Sequence, residues 1–187
     1  MTHKGTVKIE TERLILRPFT TADADAMFKN WANDPAVTKF LTWQPHQSSS
    51  ATQRLLQDWT ASYESPESYQ WAIELKELGE PIGSISVVAM VNERDIVSIG
   101  YCIGKSWWHR GITSEAFAAV IRFMFEEVGA NRLEARHNAN NPNSGGVMKK
   151  CGLSYEGTLR QAATDNTGLI DLCVYSILRS EYFSRKA

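Results

Sequence analysis

The sequence predicts an α/β (α+β) fold, a sandwich built on a single mixed, mostly antiparallel sheet of about seven strands with helices on both faces. Three observations carry that expectation. In the middle of the chain, three strand-like segments follow one another through short turns. Before them, an opening strand leads into two amphipathic helical stretches. In the last third, helical and strand patterns alternate, with Gly and Asn-Pro at the boundaries. No repeat, low-complexity run or Pro/Gly-rich linker interrupts the chain, so residues 1–187 are expected to form one domain.

Ile9 to Phe19 contains Leu14, Ile15 and Leu16 and ends near Pro18, a strand pattern. Thr20 or Thr21 then caps a helix carrying Ala24, Met27, Phe28 and Trp31 at helical spacing, stopped by Asn33-Asp34-Pro35. Trp43 to Gln47 reads as a loop. Ser48, Ser49 or Ser50 starts a second helix with Leu55, Leu56 and Trp59. Tyr69 to Leu75 alternates, Gly79-Glu80-Pro81 turns, and Ile82 to Val91 is apolar and β-branched. Asn92 to Asp95 makes a hairpin loop before Ile96 to Ile103.

The clearest helix is Thr113 to Val128, with Phe117, Val120, Ile121, Met124 and Val128 on one face and Gly129 as the stop. Leu133 to His137 is a short strand. Asn141 with Pro142 reads as a cap and first-turn proline, and Val147, Met148 and Cys151 form the buried stripe of a short helix ended by Gly152. Leu153 to Gln161 and Gly168 to Leu178 are the final strands.

Composition removes several function classes. The 187 residues suffice for a core without staples, burying about 70% of the unfolded surface. Apolar residues make up 43% and charged residues 22%, which argues against disorder. The net charge is −1, so no basic excess exists to bind nucleic acid by counterion release. The longest apolar stretch, Ile85 to Val91, is far too short for a bilayer span, and the polar start Met1 to Gly5 does not resemble a signal peptide. Cys102, Cys151 and Cys173 are distant and odd in number, which fits a reducing, cytoplasmic setting. His3, His46, His109 and His137 have no partners at ligand spacing, so no metal site is expected.

Chemistry concentrates in Tyr101 to Ala116. A strand ends, the chain turns at Gly111, and a helix starts within two residues. A helix start presents several backbone N–H groups without internal partners, and their dipoles suit an anion such as a pyrophosphate. Gly111 removes the Cβ that would block close approach. The single glycine matches neither the dinucleotide fingerprint nor the nucleotidase phosphate loop. A second strand-to-helix step, Glu134 to Leu153, follows about 30 residues later. Two such steps side by side make a crevice at the strands' carboxyl ends.

Taken together these segments resemble a GNAT-superfamily N-acetyltransferase of the RimJ/RimL type. Glu10 to Phe19 is similar to that group's first strand, Glu80 to Ile85 to its central hairpin, and Gly100-Tyr101 with Trp108 to Ala116 to its acetyl-CoA motif. Asn141 to Ser144 with Lys150 to Leu153 is similar to its second motif, and Glu156 to Arg160 to the strand after it. The resemblance implies central strands that splay apart, with acetyl-CoA lying between them. It places the pyrophosphate on backbone groups of His109, Arg110, Gly111, Ile112, Thr113 and Ser114, and the pantetheine arm near Cys102 and Ile103. Asn141 and Ser144 would face the arm and thioester. Three positions depart from the superfamily pattern: Thr113 replaces a small residue, Met148 stands where a tyrosine acid is common, and Ser98 where a carboxylate is often found.

Acetyl transfer to an amine requires a neutral amine, oxyanion stabilisation and a departing thiolate. An α-amine has a pKa of about 8, so a modest base or a water chain suffices. A backbone N–H near Cys102 or Ile103 can serve the oxyanion. Ser144 is the first candidate donor to the thiolate, though a first-turn serine can instead satisfy its own helix. Tyr175 is the alternative donor, though strand aromatics usually pack in cores. Glu134 is the leading base candidate, its pKa raised by burial in the crevice, against the competing reading of a salt bridge with Arg132 or Arg136. Asp171 and Glu10 are weaker candidates. Trp31, Trp43, Trp59 and Trp71 either line an acceptor pocket or fill the core, Trp43 being the best placed as a wall. Gly145-Gly146 suggests close approach of another group within a helix.

The expected activity is direct acetyl transfer from acetyl-CoA to a primary amine in a ternary complex, without metal or covalent enzyme intermediate. The acceptor is a protein N-terminal amine, as on a ribosomal protein, or a small amine such as an amino acid, polyamine or antibiotic. The competing class is a non-catalytic acyl-CoA sensor, motivated by Met148 and Ser98. An exposed edge near the last strands can pair in a homodimer.

Overall fold

A computed structural model describes residues 1–185. Among the described residues, eight strands form one sheet: β1 (Ile9–Glu10), β2 (Leu14–Pro18), β3 (Gln70–Leu75), β4 (Glu80–Val91), β5 (Ile96–Ile103), β6 (Arg132–Asn138), β7 (Ser154–Asp165) and β8 (Gly168–Leu178). Their order across the sheet is β1-β2-β3-β4-β5-β6-β8-β7. Every neighbouring pair is antiparallel except β5 and β6. The mixed sheet expected from sequence is therefore present, with one more strand.

The extra strand comes from the opening segment. Leu14 N–H donates to the Thr11 hydroxyl at 3.0 Å, and Thr11 N–H donates to Leu14 O at 3.0 Å. That small ring folds Ile9 to Pro18 into a hairpin instead of a single strand. The following helical stretch is also more broken than its periodicity suggests. It consists of a 3-10 turn at Thr21–Asp23, helix α1 (Ala24–Met27) and a π-helical turn at Phe28–Ala32. Asp23 holds its start by accepting hydrogen bonds from Thr20 N–H and hydroxyl. Asp34 caps α2 (Pro35–Thr38), and Ser48 caps α3 (Ser49–Ser62) by accepting from Ala51 N–H at 3.2 Å.

Helix α4 (Ile112–Phe123) continues as a π-helical turn through Val128 and stops at Gly129, φ +82°. Its apolar stripe is fully buried, as the spacing predicts. Helix α5 spans Pro142–Lys150. Helix α6 (Arg179–Ser184), which the sequence pattern does not announce, follows β8 directly, with Glu181 accepting from Leu178 N–H.

Alternation along the strands divides the core. Trp71, Ile73, Val97, Ile99 and Ile103 pack with the α4 stripe on one face. Phe19, Met27, Trp31, Leu56 and Ala72 pack on the other, beneath α1 and α3. Between these layers the sheet opens. The β5–β6 ladder pairs only Ile96–Ser98 with Arg132–Glu134. Beyond Ser98, β5 stays with β4 while β6 follows β8 to its end at Asn138↔Leu172. The splay is thus a feature of the hydrogen-bond register.

Glu134 sits at the closed end of that splay. Ser98 donates to it at 2.8 Å and Arg136 at 2.8 Å, while Arg132 bridges it to Glu156 on β7. Burial alone would raise its carboxyl, but hydrogen bonds from Ser98, Arg136 and Arg132 outweigh burial and hold it below the ordinary value. The expected upward shift is therefore corrected: the salt-bridge reading describes Glu134. In the same cluster, hydrogen bonds from Arg132 and Ser176 pull Glu156 from 4.5 down to about 2. A carboxyl whose folded pKa is depressed adds stability above its unfolded pKa and loses it as pH falls towards its folded one. Urea-unfolding midpoints should accordingly fall between pH values of about 4.5 and about 2, and Glu156→Gln should flatten part of that fall.

Candidate active site

The loop between β5 and α4 closes around Gly111 at φ +73°, preceded by His109 in the left-handed region at φ +59°. A non-glycine residue held there costs of the order of 1 kcal/mol and marks a backbone shaped by its surroundings. No side chain caps α4, whose first internal bond runs from Glu115 N–H to Gly111 O. The N–H groups of Ile112, Thr113 and Ser114 thus form an uncapped helix start. Two cations attend it. A Cβ on Gly111 would lie 3.4 Å from Lys150 Nζ and 3.8 Å from Arg13 Nη2. Arg13 is fixed by Glu115 at 2.7 Å and by donating to Arg110 O at 3.1 Å.

A cleft of about 470 Å³ runs from this loop along the splay. Of the residues expected to bind the coenzyme, Cys102, Ile103, His109, Gly111, Ile112, Thr113, Ser114, Asn141 and Ser144 all line it. Arg110 does not; its side chain is exposed and its carbonyl serves Arg13. Asn141 does not act as the expected side-chain cap. Its carbonyl accepts from Ser144 N–H at 3.2 Å, which leaves its amide uncommitted to the helix.

Strand β5 shows the cleft an alternating edge. Gly104 N–H donates to Ile82 O, and the antiparallel register then turns the main-chain groups of Cys102 towards Ser84 of β4. The main chain of Tyr101 and Ile103 points the other way, where β6 has left. The Trp108 indole occupies Ile103 O at 2.9 Å. Tyr101 N–H and C=O and Ile103 N–H form the open edge. The main-chain groups of Cys102, expected to meet the arm, face β4.

Ser144 meets Tyr101. The Tyr101 hydroxyl donates to Ser144 O at 3.0 Å, and Ser144 Oγ donates to the Tyr101 oxygen at 3.3 Å. Burial pushes the Tyr101 phenol well above its ordinary value, so it stays protonated. Tyr175 is not part of this arrangement. It is buried opposite Ala135, between the rings of His137 and Tyr155, and lines neither cavity. Gly145 is explained by His137, since a Cβ there would lie 2.6 Å from His137 Nε2, whereas Gly146 lines the cleft with nothing within 4 Å.

A second cavity, about 450 Å³, lies on the α1/α3 face of the sheet. Trp31, Trp43 and Trp59 line it, while Trp71 is core, stacked on Tyr69. Leu41, Tyr101 and Cys102 border both cavities. The wall between Thr38 and Gln44 is clamped by the β7–β8 turn. Asn166 donates to Thr38 O and Trp43 O, its N–H donates to Leu41 O, and Gln44 donates to its side-chain oxygen. The Trp43 wall, expected to line an acceptor pocket, is thus joined to the β7–β8 turn. Sequence spacing does not mark Arg13, Lys150, Tyr101 or Asn166 as site residues; Arg13, Lys150 and Tyr101 fall within motifs that carry a recognisable pattern, and Asn166 does not.

An uncapped helix start with two cations, at the mouth of a splayed strand pair, defines a fold class that binds an extended anionic coenzyme. Residues 13–154 match the model of the acetyltransferase (GNAT) domain. The chain is 33% identical over 171 residues to an uncharacterized N-acetyltransferase, YoaA of Bacillus subtilis, covering 91% of this chain and 96% of the relative. It is 25% identical to the ribosomal protein uS5-alanine N-acetyltransferase of Escherichia coli, covering 81% and 80%. Its fold matches a GNAT-family acetyltransferase from Bacillus anthracis with a TM-score of 0.81 at 23% identity, covering 94% of this chain and 100% of that one. It also matches RimL, a ribosomal L7/L12 α-N-protein acetyltransferase in complex with coenzyme A, with a TM-score of 0.82 at 20% identity, covering 92% and 98%. The chain belongs to the GNAT acetyltransferase family and is an N-acetyltransferase.

That family uses acetyl-CoA, and the residues fit its diphosphate: the loop lacks a Cβ at its tightest point, its N–H groups are uncapped, and Lys150 and Arg13 stand beside it. Among the described residues, no cluster of three or more His, Cys, Asp or Glu can hold a metal ion, and no helix is long and apolar enough to cross a membrane. Gly111→Glu introduces an acidic side chain into this cradle at a strained φ. Calorimetric titration with coenzyme A should show a Kd at least about tenfold weaker than wild type.

Proposed function

We propose that the chain carries acetyl from acetyl-CoA directly to a primary α-amine, with both substrates bound together. The single observation behind this reading is the meeting of the two cavities at Tyr101 and Cys102, one opening on the anion cradle and the other on the tryptophan-lined wall. Backbone N–H groups from His109 to Ser114, with Lys150 and Arg13, hold the diphosphate. The free edge at Tyr101 and Ile103 pairs with the amide-containing arm, and the Asn141 amide faces it.

Bound there, the thioester supplies an activated acyl carbon: the amine nitrogen bonds to it, the C–S bond breaks, and the proton lost by the amine balances the one the thiol gains. Ser144 and Tyr101 provide the hydroxyls at the junction. Serine Oγ rotates freely, so it can turn its proton from Tyr101 towards the departing sulfur while Tyr101 keeps its own bond to Ser144 O. Ile103 N–H is the open-edge donor suited to an oxyanion. Glu134 is committed to Ser98, Arg132 and Arg136 and lines neither cavity, which argues for deprotonation through water. Burial pushes the Cys151 thiol up to about 12 and raises Cys102 as well, which favours direct transfer over a thiol intermediate.

The ribosomal-protein N-acetyltransferases among its relatives support a protein N-terminus as acceptor. The tryptophan-lined cavity equally suits a small amine. The positions that suggested a sensor have structural roles instead: Met148 is buried core, and Ser98 holds Glu134. A cytoplasmic setting, a single domain and a homodimer through the β7 edge are parts of the same reading.

The test is free-thiol release from acetyl-CoA across a panel of amines and peptides. Ser144→Ala and Tyr101→Phe should each lower kcat by at least about tenfold with coenzyme affinity nearly unchanged, and Glu134→Gln should leave kcat within about twofold. An absence of amine-dependent thiol release would overturn the reading.

A further inference from the structure

Given the acetyl transfer proposed above, we infer that the second cavity selects an α-amine borne next to an uncharged aromatic or large apolar group, and excludes polycationic and acidic amines. Its walls are Trp31, Trp43, Trp59, Met27 and Leu55, and among the described residues no Asp, Glu, Lys or Arg lines it. The charged residues of α3 nearest that wall, Arg54 and Asp58, are exposed and line neither cavity. A second ammonium or a carboxylate entering there would lose its hydration with no opposite charge to meet it. An indole or phenyl ring would instead replace water against the half-buried rings of Trp43 and Trp59.

The few polar groups favour the same ligand. Ser84 already interacts with the Cys102 thiol, and His46 with Thr52 at 2.7 Å. Burial lowers the His46 pKa, so the imidazole remains neutral at pH 7 and adds no charge. Trp31 is fully buried, yet its indole N–H has no hydrogen-bond partner among the described residues. Buried donors are nearly always paired, and this one belongs to a cavity wall. Closed off in the free protein, it meets a neutral acceptor on the ligand, such as a carbonyl oxygen, only where the wall shifts to admit one. Exposed Thr42 and Val88 mark the mouth, where the rest of a peptide or amide can leave.

Ser86 gives the means to test this. It lines the cavity from β4, half-buried, with Gln70 and Gly100 as its register partners. The experiment compares Trp-amide, Phe-amide, Leu-amide, Lys-amide, Glu-amide and spermidine in two assays: kcat/KM from thiol release, and calorimetric binding to the coenzyme A complex. Wild type should favour Trp-amide and Phe-amide over Lys-amide, Glu-amide and spermidine by at least about tenfold in both. Ser86→Asp should shift the ratio towards Lys-amide by at least about tenfold, and Ser86→Asn should keep the wild-type order. Lys-amide or spermidine matching Trp-amide in wild type would overturn the selectivity and leave acetyl transfer standing. Selective binding of Trp-amide without transfer to any amine would support the cavity's chemistry and overturn the transfer. Neither binding nor transfer would overturn both.

Discussion

The structure turns on where one parallel ladder stops. β5 and β6 pair for three residues, from Ile96↔Arg132 to Ser98↔Glu134, and then part. Had the ladder continued, Tyr101 and Ile103 would have spent their main-chain groups on β6, and no slot would separate α4 from α5. Because it stops, β5 ends as a strand paired on one side only, feeding the Gly111 loop. The Ser98–Glu134 hydrogen bond, with Arg132 and Arg136 around it, pins the point of divergence. The carboxylate is there to hold the strands, and its low pKa follows from that duty.

From the splay, two surfaces with different chemistry meet on one strand. Strand alternation sends the Tyr101 and Ile103 side chains to the α4 face and the Cys102 side chain to the α1/α3 face. The α4 face offers uncapped N–H groups and two cations, an environment for phosphate. The cavity on the α1/α3 face offers indole rings, and among the described residues no Asp, Glu, Lys or Arg lines it. Tyr101 and Cys102 border both, so the reacting groups of two unlike substrates can be brought together without either entering the other's environment. Asn166, reaching across from the β7–β8 turn, fixes the wall on the second face.

What the sequence made legible followed local rules. The α4 stripe, the Gly111 turn, a serine cap among Ser48 to Ser50 and the central meander each depend on neighbours within a few residues. The lining of the cleft by His109 through Ser114, other than Arg110, is what the family resemblance implies, at a helix start that local rules make visible. The positions that local rules leave undecided depend on distant ones. Glu134 is decided by Ser98, brought alongside by the sheet. Tyr175 is decided by His137 and Tyr155 on flanking strands. Arg13 and Lys150 reach Gly111 from opposite ends of the chain, and no spacing rule joins them. The opening hairpin was hidden for another reason: a threonine hydroxyl makes its turn, with no glycine or proline to announce it. Asn141 has the right identity for a cap and the wrong backbone, φ −113° and ψ 68°, so its side chain is left for the cleft.

The most direct test is amide hydrogen exchange along β5, residue by residue, with and without coenzyme A. Tyr101 and Ile103 N–H should exchange freely in the isolated protein and gain protection of at least about tenfold when coenzyme A is bound, because the arm takes the place that β6 leaves. Cys102 N–H, already bonded to β4, should be protected in both states. Unchanged exchange at Tyr101 and Ile103 on saturation with coenzyme A would show that the open edge is not where the coenzyme lies.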